Sequence, residues 1–295
     1  MLDNLDIEAQ PEYYEDKPNI QKWLASSLSG GRLRLILGAG VSAACGLPDW
    51  KDLVKNIAAK KNVTPIGDND PERSSWLLRK TFNNDRHEFA IAVQEALYDG
   101  YDYSLASLTT KRLLLALGAL AMPSRRGSVS EIITFNFDDL LELYLKYLGF
   151  SVLSTTILPR WSERQDVEVL HIHGLLPSDN SATIPRNIVF TESDFDEVVG
   201  RSDIWRKKTV QILQSNICVF IGISGEDPNL RSILTEIKKT HVSSSTHPYW
   251  GIRFTSNEDD KRNDHFQDNG ILPVIIEHKH IPDWLLAVSQ LALVH

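Results

Sequence analysis

The stretch that decides the fold runs LILGAGVS over residues 35–42, and GLPDW follows it at residues 46–50. Its apolar start is typical of a buried parallel strand. The small residues at 38–40 let backbone N–H groups approach a phosphate closely, and a helix beyond the turn would add the positive end of its dipole. The stretch is not the dehydrogenase fingerprint GxGxxG, because Ala43 stands at the third glycine. It therefore predicts a strand, a phosphate-binding turn and a helix.

The rest of the chain alternates apolar runs with helical patterns. Apolar and β-branched runs that predict strands lie at 33–37, 131–136, 167–172, 217–223, 248–254 and 271–276. Helical periodicity is found at 87–99, 103–121, 138–148, 203–215, 228–240 and 282–293. This alternation predicts an α/β fold with a doubly wound, mostly parallel sheet of Rossmann type. Residues 51–130 are almost wholly helical in pattern, and we expect them to form a smaller module inserted after the first strand.

Length and charge bound the class of protein. The 295 residues suit one large domain, or a main domain with a smaller module, and we expect this domain to span residues 21–295. The first 20 residues are acidic and poor in apolar side chains, which predicts an arm over residues 1–20 that is either loose, the interpretation we favour, or docked on a neighbour. The net charge of −8 argues against a chain whose main task is to bind nucleic acid.

Cysteine content limits the sites that the chain can form, and targeting signals indicate its cellular compartment. The two cysteines, Cys45 and Cys218, lie far apart in apolar stretches, so we expect neither a disulfide framework nor a metal site. The N-terminus has no signal-peptide pattern, and no apolar run reaches about 18 residues. We therefore expect a cytoplasmic protein with no membrane segment.

Three later motifs each follow a predicted strand. They read TFNFD at 134–138, HIHG at 171–174 and FIGIS at 220–224. In an open parallel sheet, ligands bind beyond the carboxyl ends of the strands, at the point where the strand order reverses. We therefore expect one crevice to bring together Gly38, Asn136, His173 and Gly222.

In this order the motifs resemble the sirtuin superfamily. The sirtuin pattern is a GAGxS turn followed by G-[IL]-P-D and an aromatic residue, then a TxNxD strand end, a catalytic His-Gly and a GxS loop that holds the nucleotide. The resemblance covers residues from about 33 to 240, and the segments GISGED at 222–227 and FTESDF at 190–195 look most like prokaryotic SIR2-like defence proteins. It implies an NAD-binding domain of sirtuin type over residues 21–295.

The resemblance assigns the chemistry to two residues. His173, with an ordinary imidazole pKa near 6.5, can accept a proton from a ribose hydroxyl or from water at neutral pH. Asn136 offers a donor and an acceptor that can orient water and ribose, although asparagine is also a favoured N-cap for the helix that follows. Asp138 either recognises the nicotinamide carboxamide or serves the helix dipole as a first-turn acid.

The remaining assignments concern NAD binding. By resemblance, the Ser42 hydroxyl contacts phosphate, Ser224 contacts the adenosine-side ribose or phosphate, and Trp50 stands where deacylases have a phenylalanine that covers nicotinamide. His171 should point to the same side as His173 if the strand is regular, as a core or supporting residue, and Asp227 fits a helix N-cap as well as a binding role. The predicted NAD-binding residues are Gly38, Ala39, Gly40, Ser42, Pro48, Asp49, Trp50, Asp138, Gly222 and Ser224.

Departures from the deacylase pattern indicate which acceptor the expected reaction uses. Deacylase sirtuins carry four cysteines that bind zinc, and this chain has two cysteines in all. Residues 175–179 look like an ordinary turn rather than an acyl-lysine channel. Water becomes the expected acceptor, so the resemblance implies an NAD hydrolase that releases nicotinamide and ADP-ribose in anti-phage defence. Such an enzyme must be restrained, by homo-oligomerisation or by a separate regulatory or sensor protein such as an ATPase, an Argonaute-like factor or a phage component.

Two alternatives stay open at this point. A zinc-free NAD-dependent protein deacylase or ADP-ribosyltransferase would share the NAD site and differ in the acceptor. A non-catalytic subunit that binds NAD or ADP-ribose would share the site and lack the reaction, although the presence of both Asn136 and His173 counts against it.

Overall fold

The computed structural model describes residues 10–61, 71–83, 85–122, 127–158, 165–179, 188–191, 194, 203–225, 227–241, 248–257 and 260–294. Part of the FTESDF segment and residues 1–9 of the predicted arm lie outside these ranges.

The described strands form one seven-stranded sheet, in which every strand is parallel to its neighbours. Their order is β3-β4-β2-β1-β5-β6-β7. This confirms the predicted α/β class. The strands are β1 (Leu33–Leu37), β2 (Glu131–Thr134), β3 (Val152–Thr155), β4 (Val167–His171), β5 (Ile217–Ile221), β6 (Gly251–Thr255) and β7 (Ile271–Ile275). The sequence patterns missed β3, an edge strand whose residues are mostly half-buried and therefore lack an apolar run.

Helices cover both faces of the sheet. One face packs against α1, α7, α8 and α12, and the other packs against α9, α10 and α11. Between β1 and β2 the described elements are all helices, as expected for a helical insertion. The helices are α1 (Lys17–Ser29), α2 (Ala39–Ala44), α3 (Trp50–Lys60), α4 (Pro71–Lys80), α5 (Arg86–Leu97), α6 (Leu105–Leu108), α7 (Arg112–Ala121), α8 (Leu140–Tyr147), α9 (Asp203–Ser215), α10 (Pro228–His241), α11 (Lys261–Asp268) and α12 (Ile281–Val294), with 3₁₀ helices at Pro11–Glu15 and His278–His280.

The predicted acidic arm is folded from residue 11 onward. Tyr14, in the 3₁₀ helix, and Ile20, in α1, are both buried. The Tyr14 ring makes edge-on contacts with Trp23 at 5.2 Å and with Tyr249 at 5.3 Å. Acidic composition alone predicts looseness, but these aromatic contacts bury enough apolar area to anchor the segment. The part of the predicted arm from residue 11 to residue 20 is therefore structured.

The strand order reverses between β1 and β5, at the centre of the sheet. Leu37 of β1 pairs with Thr134 of β2 on one side and with Ile221 of β5 on the other. Thr134 pairs in turn with His171, the last residue of β4. The loops after β4, β2, β1 and β5 therefore leave the sheet side by side, and each carries one of the four motifs.

Candidate active site

The turn after β1 packs directly against the turn after β5. The Gly38 N–H donates to the carbonyl oxygen of Ile221 at 2.9 Å, and the Gly40 N–H donates to that of Gly222 at 3.0 Å. A Cβ on Gly38 would lie 2.6 Å from the Gly222 carbonyl oxygen, and one on Gly40 would lie 2.7 Å from the Gly222 Cα. Gly222 itself has a φ of +68°. The glycines are thus required by loop packing. Both N–H groups have backbone acceptors in this structure, and their approach to a phosphate stays a prediction.

Pro48, Asp49 and Trp50 form the start of helix α3. The exposed Asp49 caps the helix, since its carboxylate accepts a backbone N–H of the first turn at 2.8 Å. Pro48 and Trp50 are half-buried. The Trp50 ring lies 4.4 Å from that of Phe190 and 6.4 Å from that of Phe137, in the loop after β2. Trp50 therefore lies beside the loop that carries the second motif.

Ser42 and Asp138, two predicted NAD-binding residues, contact each other. The Ser42 hydroxyl donates to the Asp138 carboxylate, whose other oxygen accepts the Leu140 N–H at 3.2 Å. Burial raises the pKa of Asp138 to about 6, although the Ser42 hydrogen bond opposes the rise. One carboxylate oxygen thus accepts a hydrogen bond at the start of α8, and the other faces a small cavity. Asp138 can therefore act as a first-turn acid and still be available to recognise the nicotinamide carboxamide. The polar residues that line this cavity include Ser42, Thr134, Asn136, Asp138 and Glu142.

Asn136 joins the first and second motifs. Its Nδ2 donates to the carbonyl oxygen of Gly38 at 3.0 Å, and its backbone N–H donates to the Thr134 hydroxyl at 3.1 Å. Its Oδ1 is buried and has no hydrogen-bond partner within the described chain. The N-cap position of α8 is occupied by Asp139, so the alternative role of Asn136 as the cap of this helix is not observed.

His171 forms a buried pair with Glu142, which sequence reasoning missed. The His171 Nε2 lies 2.5 Å from Glu142 Oε1, and its Nδ1 donates to the carbonyl oxygen of Asn136 at 3.2 Å. Burial opposes charge on both groups, but their mutual attraction prevails: the pKa of His171 is raised and that of Glu142 is lowered. The pair lies beneath Asn136 and fixes its backbone. The available signal was a carboxylate within the apolar pattern of α8.

His173 contacts other residues than His171 does. Strand β4 ends at His171 and the chain turns at the next two residues, so the regular strand on which a shared side depended does not reach His173. The His173 Nε2 lies 3.5 Å from Asp227 Oδ2, before α10, and the ring is edge-on to Phe135 at 5.2 Å. This Nε2 is buried and has no hydrogen-bond partner among the described residues.

The environment of His173 keeps its ring neutral at neutral pH. Burial lowers the pKa of His173, and the charge of Asp227 and a backbone hydrogen bond to Phe135 offset only part of this effect. A neutral imidazole with an available lone pair is the form that a general base requires. Asp227 also caps α10 as predicted, because its Oδ1 accepts the Leu230 N–H at 3.0 Å.

Two arginines hold the loop after β5, which carries the exposed Ser224. The Arg231 Nε donates to the carbonyl oxygen of Gly225 at 2.7 Å, and the buried Arg253 reaches that of Ile223 at 3.4 Å. The sequence analysis did not identify either arginine, because each contacts a loop that lies earlier in the chain and the contact is formed only in the folded protein. They fix the loop between the glycine contact and Asp227.

Metal ligands and membrane helices are the remaining features to consider. In the part of the chain that the structure describes, no group of three His, Cys, Asp or Glu side chains could hold a metal ion. Cys45 and Cys218 are buried in the cores on opposite faces of the sheet, so they cannot share a ligand. None of the helices within the described ranges is long and apolar enough to cross a bilayer.

The fold and the site define a Rossmann-like α/β protein whose polar motifs meet at the switch point of the sheet. Residues 130–274 match the SIR2-like domain family. This part of the chain is thus similar to SIR2-like domains.

Two curated relatives carry the name NAD(+) hydrolase ThsA. The protein from Acinetobacter baumannii (strain 532279) is 23% identical over 254 residues, which cover 85% of this chain and 48% of the relative. The protein from Enterococcus faecium is 25% identical over 228 residues, which cover 76% of this chain and 43% of the relative. The matched region thus spans less than half the length of either relative.

Proposed function

We propose that this chain hydrolyses NAD to nicotinamide and ADP-ribose. One observation carries the proposal: Asn136 and His173, which follow the neighbouring strands β2 and β4, each present a buried polar atom without a hydrogen-bond partner in the described chain. Buried polar atoms are nearly always paired, so two such atoms in adjacent loops favour a site where a substrate supplies the partner. The names of the two ThsA relatives support the same reaction.

The proposed reaction breaks the bond between the ribose C1′ and the nicotinamide nitrogen. The electron pair leaves with nicotinamide, which departs neutral and needs no general acid. A water oxygen bonds to C1′, and the proton that this water loses passes to Nε2 of His173. Asn136 orients the water and the ribose hydroxyls through its Oδ1. The products are nicotinamide, ADP-ribose and one proton.

NAD binding is proposed to use the other residues of the four motifs. At neutral pH Asp138 is ionised, since its pKa is about 6, so its carboxylate can accept the carboxamide N–H beside the Ser42 hydroxyl. Trp50 would cover the nicotinamide ring. Ala39 and Ser224 are exposed on the turns after β1 and β5, and they would line the phosphate and adenosine side of the crevice.

The test is incubation of the purified protein with NAD and chromatographic separation of the products. Equal amounts of nicotinamide and ADP-ribose, formed with no peptide present, would support the proposal. Nicotinamide release that requires an acylated peptide or a protein acceptor would replace hydrolysis by deacylation or transfer. Binding of NAD without turnover by the protein or its assemblies would favour the alternative of a non-catalytic subunit that binds NAD or ADP-ribose.

We further propose that the reaction depletes cytoplasmic NAD during phage infection, and that assembly or a separate sensor protein restrains it beforehand. Unrestrained hydrolysis of NAD would harm the host cell. Measurement of cellular NAD after phage challenge tests the first part, and unchanged NAD would contradict it. Light scattering combined with activity tests the second, because a strict monomer with full activity at high dilution would contradict restraint by assembly.

A further inference from the structure

We infer that Asp227 is a positioning residue for His173: its carboxylate faces the Nε2 edge of the imidazole and stabilises the ring when it takes up a proton. The catalytic meaning of this pairing rests on the proposed function. The pairing itself is a property of two side chains and can be measured without turnover.

The hydrogen bonds of His173 define which nitrogen acts. The Phe135 carbonyl oxygen favours the protonated ring, and Nε2 has no hydrogen-bond partner within the described chain. We assign the Phe135 contact to Nδ1, so the neutral ring carries its proton there. The lone pair is then on Nε2, which lies 3.5 Å from Asp227 Oδ2. A proton accepted at Nε2 would be placed directly beside a carboxylate.

The carboxylate of Asp227 is held in place from its own helix. Its Oδ1 accepts the Leu230 N–H at 3.0 Å, and its backbone carbonyl oxygen accepts the Arg231 N–H at 3.1 Å. The Arg231 guanidinium binds the carbonyl oxygen of Gly225 at 2.7 Å on the same loop. One oxygen is thus committed to the helix cap, and the geometry of the cap directs the other toward His173.

The charge of Asp227 opposes the effect of burial on His173. From the loop after β2, the ring meets the uncharged carbonyl and aromatic ring of Phe135. Among the described residues, Asp227 is the titratable group whose charge acts on this imidazole. A carboxylate within about 4–6 Å favours the protonated ring, whereas burial disfavours it. Asp227 therefore keeps a buried imidazole basic enough to accept a proton.

The test is Asp227→Asn, because asparagine caps a helix as well as aspartate and lacks the charge. We expect the acid limb of the pH dependence of kcat to move to lower pH by about one unit or more. The maximal kcat should fall about ten-fold, less than the loss of about 10²–10⁴ expected when a catalytic acid–base group is removed, with KM for NAD little changed. Asp227→Ser provides a second neutral cap. The matched control is Asp85→Asn, the same change at the N-cap of α5.

Histidine NMR on the unliganded protein separates this inference from the proposed function. The His173 resonance is assigned by its loss in His173→Ala. A lower pKa of His173 in Asp227→Asn and Asp227→Ser, with no change in Asp85→Asn, would support the pairing even if the parent released no nicotinamide. An unchanged pKa in both neutral variants would overturn the pairing even if the parent hydrolysed NAD.

Discussion

His171 and His173 stand two residues apart, yet their surroundings favour opposite charge states. Both nitrogens of His171 face oxygen acceptors, Glu142 at 2.5 Å and the Asn136 carbonyl at 3.2 Å, and its pKa is raised. The Nε2 of His173 meets Asp227 at 3.5 Å without a hydrogen bond, and its pKa is lowered. A carboxylate in close hydrogen-bonded contact overcomes burial, whereas one at a longer distance only moderates it. The surroundings of His171 therefore favour a charged pair that stabilises the structure, whereas those of His173 keep the imidazole neutral and able to act as a base.

The largest effect should come from His173→Ala, which removes the proposed base. We expect nicotinamide release to fall by about 10²–10⁴-fold, with NAD affinity and the unfolding transition little changed. Nicotinamide release and calorimetry report the two quantities separately. His280→Ala, on an exposed ring, is the control. Near-parental hydrolysis by His173→Ala would exclude a sirtuin-type mechanism. It would also show that the neutral imidazole of His173 is not needed for turnover.

Breaking the other pair should affect stability instead. Glu142→Gln leaves the His171 ring buried without its counter-charge, so the free energy of unfolding should drop by about 3–5 kcal/mol in denaturant titration. The control is Glu277→Gln, which interrupts an exposed pair with Lys279 and should change stability by about 1 kcal/mol or less. An unchanged unfolding midpoint in Glu142→Gln would show that the buried pair is not charged.

Gly40→Val tests the contact that links the two motif loops. The new Cβ would lie 2.7 Å from the Gly222 Cα, so the loop that leads to Asp227 must shift, at a cost of about 1–3 kcal/mol in unfolding free energy. The NMR titration of His173 should change and that of His171 should not. Ala39→Val, on the exposed neighbour, is the matched control. A variant that loses NAD affinity at unchanged stability would support the expectation that Gly40 makes room for pyrophosphate.

The smallest effect concerns pH. The raised pKa of His171 contributes stability that is fully present below about pH 6.5 and is lost as pH rises through its folded-state pKa. The lowered pKa of Glu142 contributes stability present above about pH 4.5 and lost as pH falls through its folded-state pKa. The stability difference between the parent and Glu142→Gln should therefore be greatest between these values and decline on the alkaline side. A difference independent of pH from 4 to 9 would contradict the charged pair.

For His173 the sign is reversed. Its lowered pKa means that the folded state resists protonation, so stability falls as pH drops below about 6.5. In His173→Ala this decrease in stability at acid pH should be absent. The decrease amounts to about 1.4 kcal/mol for each pH unit by which folding lowers the pKa of His173. Parallel pH profiles for the parent and His173→Ala would contradict this assignment.

Sequence patterns predicted the strand ends well because apolar runs and their terminating motifs are local. They placed Asn136 and His173 at or just past strand ends that were expected to meet in one crevice, but they did not predict the contact between Ser42 and Asp138. They missed Glu142, because its partner His171 lies 29 positions away and their meeting depends on the sheet order. They also missed the contact of Gly40 with Gly222, because this neighbour is defined only when β1 and β5 pair.

The central pairing of β1 with β5 has a consequence for synthesis. About 180 residues separate these strands in the chain, so their pairing closes a long loop and is expected to be slow. A ribosome adds about 5–20 residues per second, so the first motif waits many seconds for the strand that completes its crevice. A nascent chain that ends before β5 has neither the glycine contact nor Asp227. Translation itself therefore delays assembly of the site until most of the domain has been made.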